Sequence, residues 1–247
     1  MLVIRAEQME KFAEYALARF EDAEVKHFFE VYPFDCRYAG EQAVRALIRK
    51  GTAAAEGAGY ASKRQISLWI GLQFMLGVDF HSDPQVPWAA EDLRSTATRD
   101  ATSRIEAVFT RGIRYLQSTA GDDCIFLKRA VERLRLWDPD AAPGSSDEHW
   151  DSEVCTLFGG IYPEKLEVQG ADATLELIRR ARADAAAQGL DDGSGPSIFA
   201  LLACFFGSGF YHDPLLPWAV RALASSSGAR ALFEAGLEYL GASTVTD

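Results

Sequence analysis

Apolar residues recur along this chain at helical rather than strand intervals. Over residues 6–21 the positions Met9, Phe12, Ala13, Ala16, Leu17 and Phe20 form one stripe spaced by threes and fours, the period of an amphipathic helix. A second helix is predicted over 23–31. It stops before Tyr32-Pro33 because proline pushes the preceding residue out of helical backbone. A third is predicted over 41–58, with Gly59 as its C-terminal cap. Ser62 suits the N-cap of a fourth, over 63–76. That segment carries Ile66, Leu68, Trp69, Ile70, Leu72, Phe74, Met75 and Leu76. It is apolar nearly all round, as a buried central helix should be. The block 198–206, IFALLACFF, predicts a second central helix. Helical spacing also marks 87–93 with 104–116, and 217–224 with 229–240. No strand alternation persists, so the predicted fold class is all-α.

The pattern repeats. Residues 77–89 read GVDFHSDPQVPWA and residues 207–219 read GSGFYHDPLLPWA, an offset of 130 positions. Without a gap, residues 28–93 and 158–223 share 21 identities in 66 pairs, where unrelated chains of ordinary composition share roughly 4 to 6. Phe109, Gly112, Tyr115 and Leu116 then fall opposite Phe233, Gly236, Tyr239 and Leu240 at a shorter offset. The expectation is two tandem copies of one helical bundle, 1–118 and 119–247. Their apolar central helices would pack together about a pseudo-two-fold axis.

Charge divides unequally between the copies. The net charge is −11. Residues 1–118 hold 15 basic and 16 acidic side chains, and residues 119–247 hold 10 and 20, so the second copy carries −10 of it. That balance argues against nucleic-acid binding through phosphate neutralisation. No run of about 18 apolar residues is present and the opening MLVIRAEQMEKFAEY does not read as a signal peptide, so no membrane span is expected and a cytoplasmic location is.

Motifs with chemistry are scarce. No GxSxG, P-loop or GxGxxG occurs, and no CxxC pair, so no cofactor is expected. His81 and His212 sit near Asp83 and Asp213, but the histidines are out of register between copies and lack metal-ligand spacing. Cys36, Cys155 and Cys204 align with Leu166, Val25 and Phe74, as small core hydrophobes do. In the shared signature DPxxPWA, Asp83 and Asp213 are expected to accept turn N–H bonds. Pro87 and Pro217 open helices, and Trp88 and Trp218 bury their rings against the central helices.

The one stretch that suggests a partner is 137–153. Trp137, Asp138, Asp140, Asp147, Glu148, Trp150, Asp151 and Glu153 combine acidity with two indoles and contain no Lys or Arg. An acidic loop with exposed aromatics suits a basic protein, charge steering the encounter and tryptophan anchoring it. The alternative is a solvated loop whose tryptophans fold back on the core.

The opening MLVIRAEQM, the run LGVDFHSDPQVPWA and the closing IRYL resemble a group of small helical bacterial proteins associated with gene neighbourhoods of type VI secretion effectors. The second copy keeps the DPxxPWA core but not the LVIR-type start. The resemblance implies an accessory role as an immunity protein, adaptor or chaperone for a secreted toxin, and carries over no catalytic residue. Two other readings stay open: an enzyme with its site in the cleft between the copies, and a structural, self-associating subunit.

Overall fold

The computed structural model describes residues 6–95, 100–144, 149–225 and 228–244. Every regular element among them is helical. α1 (Ala6–Val31) runs unbroken where two helices were expected. The Glu21-Asp22-Ala23-Glu24 junction holds no proline or glycine to stop it, and Arg45 and Arg49 fasten Glu21 to the next layer. Pro33 opens a short helix, α2 (Pro33–Ala39), that the spacing did not announce. α3 (Glu41–Gly57) follows. α4 (Lys63–Leu76) begins on Ser62, whose hydroxyl accepts from the Gln65 N–H while the Gln65 side chain accepts from the Ser62 N–H. This reciprocal capping fixes where the central helix starts. α5 (Pro87–Arg94) and α6 (Ala101–Ala120) complete the first half.

The second half enters through α7 (Ile125–Leu136) and α8 (Trp150–Ile161), where the first half has the single long α1. α9 (Pro163–Gln169) and α10 (Ala171–Ala187) then start and stop 130 positions after α2 and α3. α11 (Gly195–Phe206), α12 (Pro217–Leu223) and α13 (Gly228–Ser243) follow. α11 starts three residues before the predicted segment, with Pro196 in its first turn, where a missing N–H costs nothing.

Two apolar cores form. One gathers residues between Phe20 and Val108 and borrows Leu215. The other gathers residues between Ala130 and Leu240 and takes Phe34 against its edge. α4 packs between α3 and α6, and α11 between α10 and α13. In α11 every residue from Ile198 to Cys204 is buried. Each large apolar side chain so enclosed contributes about 1.5–3 kcal/mol, so these central layers hold the fold. The first turns of α1 leave Phe12, Tyr15 and Leu17 exposed and add little to it. The central helices do not lie along each other. They meet at their C-terminal ends, where a Cβ on Gly77 would stand 2.9 Å from the Phe206 carbonyl and one on Gly207 would stand 3.0 Å from the Leu76 carbonyl.

Candidate functional site

The DPxxPWA turn is built locally first. A 3-10 turn, Phe80–Ser82 or Phe210–His212, delivers the chain to the aspartate. Asp83 Oδ1 then accepts the Gln85 N–H at 2.8 Å, and Asp213 Oδ1 the Leu215 N–H at 2.9 Å. Pro87 and Pro217 open α5 and α12. The turn chemistry expected from the sequence is therefore present. The tryptophans diverge. Trp218 is buried among Phe206, Phe210 and Tyr239. Trp88 is half-buried, with the Arg111 guanidinium 4.8 Å over its ring. Leu76 stands where the second half has Phe206, so the first indole finds less apolar cover.

Each aspartate also reaches across the seam. Asp83 Oδ2 accepts the Ser208 N–H at 2.7 Å, and the Val78 N–H is turned toward Asp213 and favours its charged form. Val78 and Ser208 are themselves 130 positions apart, so the exchange is reciprocal. Gly77 and Gly207 (φ +93° and +92°) turn the chain so that these N–H groups face the opposite carboxylate. A second reciprocal pair flanks the first: Lys50 Nζ lies 3.1 Å from His212 Nδ1, and Arg180, its counterpart, donates to the Ser82 carbonyl at 2.6 Å. His212 Nε2 also meets Asp79 at 3.0 Å. A third layer comes from the short helices. The Tyr239 hydroxyl donates to Asp35 on α2. The Tyr162 hydroxyl donates to the Thr119 carbonyl in the last turn of α6 at 2.9 Å, and, within the second half, Lys165 on α9 donates to the Cys204 carbonyl.

Between these layers lies a cavity of about 300 Å³, walled by both halves. Asp83, Asp213, Asp35, Lys165, Gln85 and Tyr115 line it, whereas His81 and His212 do not. Burial sets its electrostatics. It pushes Asp213 up to about 6, against the N–H groups of Leu215 and Val78. It pushes Asp83 upward against the Ser208 and Gln85 N–H bonds. It drives Lys165 downward, with Cys204 and Asp83 opposing, and Tyr115 well upward. In each case the low-polarity surroundings disfavour the charged form. Among the described residues no group of three or more His, Cys, Asp or Glu is arranged to hold a metal ion.

No family model, curated protein or solved structure matches this chain.

The acidic stretch is arranged differently from an exposed aromatic loop. Trp150 is fully buried, its indole N–H donating to Ser197 Oγ at 2.9 Å, with the Arg182 guanidinium 4.8 Å over its ring. Trp137 is half-buried edge-on against Phe233. Asp138 caps a 3-10 turn by accepting the Asp140 N–H. Asp140 pairs with Arg230 at 3.1 Å, and Asp151 with Arg179 at 3.3 Å. Glu153 is exposed, and Asp147 and Glu148 fall outside the described residues. Neither indole is positioned as a surface anchor in this arrangement; carboxylates remain at the surface. Cys36 and Cys204 are buried, Cys124 and Cys155 partly so. The sequence offered no pointer to Lys165, Tyr115 or Gln85. The only available signal was that Lys165 aligns with Asp35, and Gln85 with Leu215, inside an otherwise similar pair of segments.

Proposed function

We propose that this chain is a non-enzymatic protein-binding accessory factor, acting as an immunity protein, adaptor or chaperone for a secreted bacterial effector. We infer that it is built from two copies of one helical module, 1–118 and 119–247, related by a pseudo-two-fold axis through Gly77 and Gly207. Support for the duplication is the shared 130-residue offset in element bounds and the reciprocity of the seam contacts.

The observation that carries the binding role is the exposed stripe on α1. Phe12 is 63% and Tyr15 64% exposed. With Ala16 and Arg19 they follow the i, i+3, i+4, i+7 spacing of a helix offered to a partner. Tyr15 and Arg19 also border a groove against α4. Two large aromatics in water on one helix face are costly unless something covers them. The carboxylates of Asp138, Asp140 and Glu153 would steer a basic partner rather than anchor it.

Affinity capture with the product of a neighbouring effector gene tests this. Replacing Phe12 and Tyr15 by serine should weaken the complex by at least about tenfold. Reversing Asp138, Asp140 and Glu153 should mainly slow association at low salt. Unchanged affinity in the α1 variant, with helicity retained, sinks the reading.

The seam cavity favours the second reading, an enzyme with its site between the halves, because it collects buried Lys165 and Asp83 with half-buried Tyr115. Turnover of a small-molecule library that is lost in Lys165→Met would support it. Asp213, raised to about 6 in the same cavity, is the group there that could serve as its general base.

A further inference from the structure

The two ends of the seam cavity are built from matching positions but closed differently. At one end Tyr239 donates its hydroxyl to the carboxylate of Asp35, and Leu215 covers the neighbouring position. At the other, the corresponding residues are Tyr115, Lys165 and Gln85. There, among the described residues, the Tyr115 hydroxyl has no hydrogen-bond partner, and neither has the side-chain oxygen of Gln85, a residue only 4% exposed. Lys165 is 8% exposed and has one protein acceptor, the Cys204 carbonyl, for its three N–H donors. Among the described residues no carboxylate oxygen lies within the 4.0 Å of an ion pair with Lys165. Asp83 shares the cavity and accepts the N–H groups of Gln85 and Ser208, and it attracts Lys165 only from beyond ion-pair distance.

Burial disfavours the charged form of a lysine left without an anion, and a carboxylate brought beside it would hold it as the ammonium. Water would satisfy Tyr115 and Gln85 but would bring no countercharge. A phosphate would need more donors than one lysine and one hydroxyl supply, and among the described residues no arginine lines the cavity. Leu116 and Leu127 add apolar surface to the wall.

We propose that this end of the cavity binds a small organic carboxylate, its oxygens pairing with Lys165 and accepting from Tyr115, its carbon portion against Leu116 and Leu127. The ligand supplies the carboxylate that Asp35 supplies at the opposite end. The site is independent of the α1 surface and needs no catalytic step.

Calorimetric titration of the full chain with acetate, hexanoate and benzoate, and with benzamide as the neutral match to benzoate, tests this. Hexanoate or benzoate should bind saturably, one per chain. Benzamide should bind at least about tenfold more weakly than benzoate. Lys165→Met should lose carboxylate binding while keeping its helicity, and Tyr115→Phe, which removes one oxygen and leaves the lysine, should weaken it about three- to tenfold. If Lys165→Met does not fold, Tyr115→Phe and the benzamide comparison decide. Saturable binding by none of the three acids, or equal affinity for benzoate and benzamide, overturns the proposal.

Discussion

Replacing Gly77 with alanine loads the seam at its tightest point, and the fold supplies its own control. Gly40, Gly77, Gly170 and Gly207 all end helices with nearly the same backbone, φ between +85° and +93° and ψ between 156° and 162°. A side chain in that region costs about 1–3 kcal/mol wherever it sits. What differs is space. A Cβ on Gly40 or Gly170 meets nothing within 4 Å. On Gly77 it would stand 2.9 Å from the Phe206 carbonyl oxygen and 3.6 Å from the Cα of Gly207, both backbone atoms that cannot swing away. Ordinary contact begins near 3.4 Å, so the two chains must separate by about half an ångström (3.4 minus 2.9). That stretches the bond from Ser208 to Asp83, now 2.7 Å, and draws the Val78 N–H away from Asp213. Hydrogen bonds to a buried carboxylate contribute about 1.5–3 kcal/mol each. Partial loss of both interactions places Gly77→Ala about 2 kcal/mol below Gly40→Ala, beyond the strain they share. Denaturant unfolding followed by tryptophan fluorescence and by far-ultraviolet circular dichroism measures the difference, with coincident curves required before a free energy is extracted. Equal costs for Gly40→Ala and Gly77→Ala, within about 0.5 kcal/mol, refute the claim that the halves are locked through this contact.

Asp213 makes stability pH-dependent. Burial raises it from 3.8 to about 6, so between those values the native chain holds more protons than the unfolded one. Its contribution is therefore full below about pH 4 and is lost as pH rises through 6, by roughly 3 kcal/mol. The facing groups Lys50, His212 and Tyr239 accompany it in both variants. Asp213→Asn should flatten that part of the stability profile, and an unaltered slope contradicts the assignment. Trp150→Phe forfeits the bond to Ser197 and the stacking of Arg182. A loss of about 1–2 kcal/mol is expected; no loss in denaturant titration means the indole does not pin α8 to α11. In native alkylation, Cys124 and Cys155 should react before Cys36 and Cys204. Both of the latter are buried, and burial pushes the Cys36 thiol up to about 12. Mass spectrometry finding the reverse order rejects the packing.

Much of the helical layout was legible in the residues because its causes are local. The stripe on α1, the N-cap Ser62, the prolines opening α5 and α12 and the aspartate turns all rest on relations between positions a few residues apart. The 130-residue offset was legible for the same reason, since equal local requirements select similar residues. Reading α1 as two helices failed on a local point too: no breaker stands between Glu21 and Glu24. The seam was not legible. Nothing in PEKLEVQ distinguishes Lys165 from a solvated lysine, and nothing around Trp150 indicates that Ser197 waits for its indole 47 positions away. Asp83 shows the division within one side chain. Its Oδ1 bond to Gln85 follows from the turn, while its Oδ2 bond to Ser208 spans 125 residues and forms only once the halves dock. Propensity and periodicity act within a helical turn, so the sequence by itself determined which segments coil and which faces are apolar. Burial, ion pairing and the cavity depend on which faces meet, and the tertiary structure alone decided those.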